Sequence, residues 1–189
     1  MELFIFEGFT AGGNTAQASE DLAKHSLEIF GIGRGTETAA KNIKIERTEN
    51  GKPYSDTVPW EFSVSHTGQL WICAVSERTV GIDIQEIRRI DHEKLADRFF
   101  TKAEKKYCRT AGKEGFFNIW TRKESIVKYM GTTLGKGISS IETVIDGTPA
   151  DRLIIDGAVI HMTEIEIGAD IKCAAAAEET GEICIKTLN

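Results

Sequence analysis

Hydrophobic and polar residues alternate over short stretches in two parts of the chain, a pattern that predicts β-strands. In the first part, strands are predicted at 3–6, 42–46, 61–65, 70–75 and 80–87. After residue 140, strands are predicted at 141–145, 152–155, 158–165, 171–177 and 182–188. Glycine and polar residues between these ranges are typical of turns.

Helical spacing of apolar residues predicts helices elsewhere. One helix is expected from a cap at Ser19 to about Phe30. Three more are expected at 91–100, 101–112 and 116–130. The second of these begins with Thr101 and Glu104, whose spacing is that of a capping box. Helices and strands together indicate an α+β protein.

The helix at 116–130 carries a lysine within its apolar stripe. Lys123 falls among the residues that should face the core, where an ammonium group needs either an anion or a route to water. Gly131 follows the helix at the position of a left-handed cap.

A weak internal repeat relates the two halves of the chain. Residues identical at an offset of 100 are Gly68, Cys73, Ala74 and Gly81, repeated as Gly168, Cys173, Ala174 and Gly181. Chance agreement between strands rich in small residues is one interpretation. The other is a pseudo-dimer of two similar halves, residues 1–100 and 101–189, with an active site in the cleft between them.

Composition narrows the class of protein. Of 189 residues, 41% are hydrophobic and 28% are charged, as in ordinary soluble domains. The longest apolar run, 70–75, is too short to span a membrane, and the acidic start MELFIFEG does not have the charge of a signal peptide. We therefore expect a cytoplasmic protein without a membrane partner. Cys73 and Cys173 are expected in the core, because they lie in apolar strand-like runs. The spacing of the cysteines indicates neither a zinc site nor a disulfide framework.

Charge is distributed unevenly along the chain. The net charge of −6 argues against a nucleic-acid partner. Residues 101–128 nevertheless contain eight basic and three acidic residues, a local charge of +5. This segment is either a solvated pair of helices or a docking site for an anionic partner.

The strand at 80–87 carries candidate metal ligands. Asp83 and Gln85 project from one strand face beside Gly81, which would let a ligand approach the backbone. Two oxygen donors on one face suit a hard cation such as Mg²⁺. The alternative is an edge strand with a solvated polar face.

Two further groups carry candidate chemistry. Glu124 and Lys128 are neighbours at i and i+4 on the last helix, which is also the spacing of an ordinary exposed ion pair. Ser65, His66 and Thr67 end a strand with groups that can donate to a phosphate. Ser65 and His66 point to opposite strand faces, so a Ser-His-Asp hydrolase is a poor fit.

With these motifs assembled, the sequence resembles the 4′-phosphopantetheinyl transferases of the surfactin (Sfp) type. The matching motifs occur in order over about ninety residues. They are GKP at 51–53, FSVSHTG at 62–68, GIDIQ at 81–85, RFFTKAE at 98–104 and WTRKESIVKYMGTTLGKG at 120–137. The resemblance also implies a pseudo-dimeric fold of two α/β halves with coenzyme A between them.

The resemblance assigns residues to coenzyme A. Lys52, Ser65, His66 and Thr67 would contact its nucleotide end, with His66 near the 3′-phosphate. Lys123 would hold the phosphate or fix the position of its helix.

The resemblance also assigns the catalytic groups. Asp83 and Glu124 would bind Mg²⁺, with Gln85 as a further metal ligand. Glu124 would accept the proton of the attacking serine, directly or through water, and Lys128 would neutralise a pyrophosphate oxygen. Many relatives have glutamate in place of Gln85, so we expect weaker Mg²⁺ binding than at a site with three carboxylates.

The implied reaction moves the 4′-phosphopantetheine arm of coenzyme A to a serine of an apo acyl or peptidyl carrier protein and releases 3′,5′-ADP. Carrier proteins are acidic, so the +5 segment would dock them. A monomer is expected, because the pseudo-dimer supplies both sides of the cleft. Residues 1–23 lack Lys and Arg, so contacts made by basic N-terminal residues in relatives would be absent or come from Lys24, His25 or Arg34.

Two alternatives remain. One is a protein that binds coenzyme A or a carrier without catalysis, which the amide of Gln85 would explain. The other is a Mg²⁺-dependent phosphodiesterase that uses Asp83 and Glu124 on another nucleotide.

Overall fold

The computed structural model describes residues 1–10, 12, 15–36, 42–133, 135 and 138–188. The helices are α1 (Thr15–Ile32), α2 (His92–Phe99) and α3 (Lys102–Met130), and one 3₁₀ turn covers Ile138–Ser140. The strands before α2 are β1 (Glu2–Glu7), β2 (Glu46–Arg47), β3 (Pro53–Tyr54), β4 (Glu61–Thr67), β5 (Leu70–Ser76) and β6 (Val80–Glu86). The strands after α3 are β7 (Val144–Ile145), β8 (Thr148–Pro149), β9 (Arg152–Ile155), β10 (Ala158–Glu164), β11 (Ile171–Ala177) and β12 (Cys184–Thr187).

The longer strands form two four-stranded sheets. The first has the order β12-β1-β5-β4 and the second has the order β6-β11-β10-β9. Every pairing in these sheets is antiparallel except that of β1 with β12. The α+β class predicted from the sequence is confirmed.

The two sheets pack face to face between two helices. Leu3 and Ile72 of the first sheet share a buried cluster with Ile82 and Cys173 of the second. Alternation along each strand turns the next residues outward. Trp71 thus packs with Leu27 and Phe30 of α1, whereas Ile160 and Met162 pack with Ile126 of α3. The layers are therefore α1, first sheet, second sheet and α3.

The same arrangement of elements occurs twice. A strand, a helix and a hairpin follow one another as β1-α1-β4-β5 and again as β6-α3-β10-β11. In each case the first strand pairs with the last one, which places Leu3 opposite Ala74 and Asp83 opposite Ala174. In this repeat, Asp83 corresponds to Leu3, not to Ile183 as a constant offset of 100 implies.

Each sheet also receives a strand from the other half of the chain. β6 precedes residue 100 but pairs with β11, and β12 pairs with β1. The repeated topology agrees with a pseudo-dimer, while the division into 1–100 and 101–189 remains a prediction that does not coincide with the division between the sheets.

The helix ends differ from prediction in two places. α1 begins at Thr15, and Ser19 lies inside it, where its hydroxyl accepts a hydrogen bond from Trp71 Nε1 at 2.8 Å. The helices expected at 101–112 and 116–130 are one element with a kink at Gly112, whose φ is 64°. The capping box of Thr101 with Glu104 and the left-handed cap at Gly131 are confirmed. No helix in the described part of the chain is long and apolar enough to cross a membrane.

Candidate active site

Helix α3 lies directly against β6 at Gly81. A Cβ atom at this position would collide with the backbone carbonyl of Ser125 and the backbone nitrogen of Tyr129. Only glycine allows this approach, which brings Lys128 to Asp83. The sequence suggested that Gly81 leaves room for a ligand. That expectation was wrong, because the helix occupies the space.

The carboxylate of Asp83 is the centre of the candidate site. It is 2% exposed. Its Oδ1 accepts hydrogen bonds from Lys128 Nζ and Ser65 Oγ, both at 2.8 Å. Its Oδ2 accepts one from Gln85 Nε2 at 3.1 Å. Asp83 and Gln85 therefore share a strand face, as their spacing predicts.

Glu124 brings a second carboxylate to this centre. Burial, and after it the negative charge of Asp83, raise its pKa to about 7, and Lys128 opposes both effects. Two carboxylates that disfavour each other's charge suit a divalent cation.

The donors available to a metal are few. No group of three or more His, Cys, Asp or Glu side chains that could hold a metal occurs among the described residues. The candidate donors are therefore the carboxylates of Asp83 and Glu124 and the amide of Gln85. Hard oxygen donors of this kind fit Mg²⁺, which keeps several water ligands in proteins.

The hydroxyl groups of β4 point toward β6. Ser65 Oγ and Thr67 Oγ1 accept hydrogen bonds from the backbone N–H groups of Ile84 and Glu86, at 3.3 Å and 3.0 Å. Both side chains are buried. Both hydroxyls therefore accept hydrogen bonds within the protein, and their contact with coenzyme A remains a prediction.

His66 lies on the opposite face of β4 and is exposed. Its ring centroid is 5.2 Å from that of Phe9. Partial burial lowers its pKa, as does the positive charge of Lys128, while Asp83 opposes the change. His66 is thus available to a ligand near Lys128.

Lys52 is held against the end of α3. Its Nζ donates a hydrogen bond to the carbonyl oxygen of Tyr129 at 3.1 Å, and Asn50 Nδ2 donates one to the carbonyl of Gly131 at 3.0 Å. The negative end of the helix dipole favours a cation here. Burial lowers the pKa of Lys52.

Lys123 does not belong to this site. Its Nζ is 3.0 Å from Glu104 Oε2, and the two side chains are 1% and 0% exposed. Its Nζ also donates to the carbonyl of Ile141 at 2.7 Å. The prediction that Lys123 holds a phosphate is contradicted by this burial, and the alternative that it fixes its helix is favoured.

The other basic residues of 101–128 divide into two groups. Arg122 is buried, with Nε donating to Asn118 Oδ1 at 2.9 Å and Nη1 to the carbonyl of Ala150 at 2.9 Å. Lys105 pairs with Asp97 at 3.2 Å. Four exposed residues form no ion pair within the described part of the chain, and we call them the basic stripe: Lys102, Lys106, Arg109 and Lys113.

The three residues that could replace the basic N-terminal residues of relatives already lie beside acidic side chains. Lys24 lies 2.8 Å from Glu20, and His25 Nδ1 lies 3.6 Å from Glu28. Arg34 pairs with Glu2 at 3.0 Å and with Glu77 at 3.1 Å.

Sequence reasoning missed the structural roles of two residues outside the site. Ser63 has a role in the contact of β4 with β6, since its Oγ accepts a hydrogen bond from the Ile82 N–H at 3.1 Å. The alternating hydroxyls of FSVSHT were the available signal. Glu104 was identified only as a cap, although it also neutralises Lys123. In the motif at 120–137, residues 134, 136 and 137 lie outside the described residues.

Comparison with known proteins places these residues in a family. The sequence model of the 4′-phosphopantetheinyl transferase superfamily matches residues 79–178, more than half of the chain. This range includes Asp83, Gln85, Glu124 and Lys128.

Individual relatives share the same description. The chain is 37% identical over 114 residues to the 4′-phosphopantetheinyl transferase gsp of Aneurinibacillus migulanus, covering 58% of this chain and 45% of the relative. It is 36% identical over 120 residues to psf-1 of Bacillus pumilus, covering 60% and 51%. It is 29% identical over 153 residues to Sfp of Bacillus subtilis (strain 168), covering 77% and 68%. The matched region thus spans about half the length of the first two relatives and two thirds of the third.

Proposed function

This chain belongs to the 4′-phosphopantetheinyl transferase superfamily, and we propose that it transfers the 4′-phosphopantetheine arm of coenzyme A to a serine of an apo acyl or peptidyl carrier protein. The observation that carries the proposal is the convergence of Asp83, Glu124 and Lys128 where α3 contacts β6. Two carboxylates and an ammonium group at one place suit the handling of a pyrophosphate.

Mg²⁺ would be held by Asp83 and Glu124, with Gln85 as a further oxygen donor. When bound, the ion would polarise phosphoryl oxygens and neutralise the charge that develops on them. The raised pKa of Glu124 supports this assignment, because a carboxylate that burial and Asp83 destabilise gains most from a nearby cation.

Glu124 would accept the proton of the carrier's serine hydroxyl. A glutamate carboxylate can act as a general base when it lies within hydrogen-bond reach of that proton, directly or through one water. The serine oxygen forms a bond to the β-phosphorus of coenzyme A, the bond from that phosphorus to the bridging oxygen breaks, and 3′,5′-ADP leaves. Lys128 would compensate the charge on the departing phosphate, since its ammonium is partly exposed beside Asp83.

The nucleotide end of coenzyme A would contact His66 and Lys52. His66 is exposed and close enough to Lys128 to feel its charge. Lys52 is half-buried at the end of α3, and burial lowers its pKa. A bound phosphate would favour its charged form.

The carrier protein would dock on the basic stripe. Four exposed cations in the N-terminal half of α3 complement an acidic helical partner. We further propose that the chain acts as a cytoplasmic monomer, because β1-α1-β4-β5 and β6-α3-β10-β11 provide two sides for one site.

Mass spectrometry tests the proposed reaction. Incubating the protein with coenzyme A, Mg²⁺ and several apo carriers should add one phosphopantetheine to a carrier serine. Glu124→Gln and Asp83→Asn should abolish the gain in mass. The matched control Glu114→Gln, at an exposed position of the same helix, should leave it unchanged.

The same assay separates the alternatives. Tight binding of coenzyme A without a mass gain on any carrier would favour a protein that binds but does not transfer. Release of 3′,5′-ADP without a carrier would favour a phosphodiesterase. Full activity of Glu124→Gln would overturn the assignment of the base.

A further inference from the structure

The contact between β4 and β6 joins the two sheets through side chains. β6 is an edge strand of its sheet, so one of its sides has no strand partner among the described residues. Three hydroxyls at alternating positions of β4 accept its N–H groups at 3.1 Å, 3.3 Å and 3.0 Å. We call them the hydroxyl ladder: Ser63 with Ile82, Ser65 with Ile84, and Thr67 with Glu86.

Ser65 has a second role that Ser63 lacks. A hydroxyl can accept a hydrogen bond and donate its proton at the same time. Ser65 accepts from the Ile84 N–H at 3.3 Å and donates to Asp83 Oδ1 at 2.8 Å. The backbone of β6 fixes both Ile84 and Asp83. Through its two hydrogen bonds, Ser65 therefore holds the Asp83 carboxylate in one orientation relative to β6.

The three donors to Asp83 differ in rigidity. Lys128 is long and partly exposed, and Gln85 is half-buried. Ser65 is 6% exposed and has one side-chain torsion that places its oxygen. Lys128 and Gln85 can leave when another cation or ligand arrives, whereas Ser65 is held by the ladder.

We propose that Ser65 is a positioning residue that sets the orientation of the Asp83 carboxylate toward a divalent cation. The inference rests on the proposed function in one respect, that Asp83 is a metal ligand. Partners behind a ligand commonly change metal affinity by about 10-fold to 100-fold. Ser65 would thereby act on the metal and not on the nucleotide.

The test compares variants that remove the same backbone contact. Ser65→Ala and Ser63→Ala each delete one rung of the ladder, but only Ser65→Ala removes a donor from Asp83. Mn²⁺ binding to the protein without coenzyme A is measured by paramagnetic resonance. We expect Ser65→Ala to weaken Mn²⁺ binding about 10-fold, Ser63→Ala to leave it within about 2-fold, and Ser65→Thr, which keeps the hydroxyl, to restore it.

Two further measurements keep the proposal falsifiable. Coenzyme A binding without metal should be unchanged in Ser65→Ala, and thermal unfolding should show similar losses for the two alanine variants. If Ser65→Ala does not fold, Ser65→Cys keeps nearly the same volume with a weaker donor and is expected to weaken Mn²⁺ binding.

Several results would overturn the proposal. Equal Mn²⁺ affinity in Ser65→Ala and the wild type, or equal weakening by Ser63→Ala, would remove the positioning role. Loss of coenzyme A binding with intact Mn²⁺ affinity would make Ser65 a nucleotide contact instead. A wild-type protein that binds no Mn²⁺ would overturn the metal site as well, so the two failures are distinguishable.

Discussion

At the scale of single residues, the candidate site depends on how the charges of two neighbouring buried carboxylates are compensated. Asp83 receives the ammonium of Lys128 at 2.8 Å, whereas burial and the charge of Asp83 raise the pKa of Glu124 to about 7. The first carboxylate is therefore compensated within the protein, and the second is only partly so. This asymmetry predicts that metal binding is linked to the protonation of Glu124.

We expect divalent metal to bind more tightly as pH rises through the pKa of Glu124. The carboxylate must lose its proton to coordinate a cation, so affinity should increase about tenfold between pH 6 and pH 8 and then level off. Calorimetry in buffers of different ionisation enthalpy measures the released proton.

Glu124→Gln is the control for this pH effect, and it should remove the slope. His66→Gln tests the other group that titrates nearby, and it should leave the slope in place.

Without metal, the raised pKa of Glu124 gives folding stability the opposite dependence on pH. Stability should fall as pH rises from about 4.5 to 7, because the unfolded chain has already lost the proton that the folded chain keeps.

Gln85 determines the charge of the metal site. Its amide donates to Asp83 Oδ2 at 3.1 Å, so Gln85→Glu replaces a donor with a third negative charge. We expect this variant to lower the Mg²⁺ concentration for half-maximal activity and to lower stability without metal. An unchanged or raised Mg²⁺ requirement would contradict this expectation. Gln17→Glu, on the exposed part of α1, serves as a control for added charge.

At the scale of elements, the site is assembled by the contact of α3 with β6. The strand contributes Asp83, the helix contributes Glu124 and Lys128, and Gly81 sets the distance between the two backbones. Helix α3 has a second stabilising contact, in which the buried pair of Lys123 with Glu104 connects the two segments of the kinked helix.

Gly81→Ala should separate the helix from the strand. The added methyl group meets backbone atoms of α3 that cannot rotate away, so we expect a loss of about 1–3 kcal/mol in unfolding free energy. Transfer activity should fall more than stability explains, because Lys128 and Asp83 move apart. Gly33→Ala, where a Cβ makes only ordinary contacts, is the control. Wild-type activity in Gly81→Ala would show that the close approach is unnecessary.

Lys123→Met should affect stability and not ligand binding. It leaves Glu104 buried without its cation, so we expect the free energy of unfolding, measured with urea, to fall by about 3–5 kcal/mol. Lys105→Met removes a partly exposed pair with Asp97 and should cost about 0–1 kcal/mol. Adding Glu104→Gln to Lys123→Met should recover part of the loss. A stable Lys123→Met protein with weakened coenzyme A binding would instead support a phosphate contact.

At the scale of the whole molecule, the two sheets exchange strands, so neither half is structurally separate. β6 carries Asp83 into the second sheet, and β12 returns the chain to the first. The surface charge is also redistributed by folding. Arg122, Lys123 and Lys128 are used inside the protein or at the site, which leaves the basic stripe as the exposed part of the +5 segment.

Charge reversal in the basic stripe should weaken carrier binding. Lys106→Glu with Arg109→Glu is expected to raise KM for the carrier several-fold at low salt and to reduce its dependence on salt, because steering charges are screened. Coenzyme A binding should be unchanged. Arg152→Glu, a single charge reversal at an exposed position of β9, should have little effect. An unaltered carrier KM would place the docking surface elsewhere.

The sequence by itself determined several of the elements and part of the local geometry of the site. Periodicity located the strands from β4 to β6, the capping box predicted the start of α3, and the spacing of Asp83 with Gln85 predicted that they share a face. These features are local, since they depend on the geometry of one strand or one helix.

Only the tertiary structure decided which partner each polar group meets. Ser65 bonds Asp83 across 18 positions in the chain, and Lys123 meets Glu104 instead of a phosphate. β6 pairs with β11, which follows it by more than eighty residues. A sequence pattern states that a buried charge needs a partner, but the partner is chosen by packing between distant segments, which local spacing does not encode.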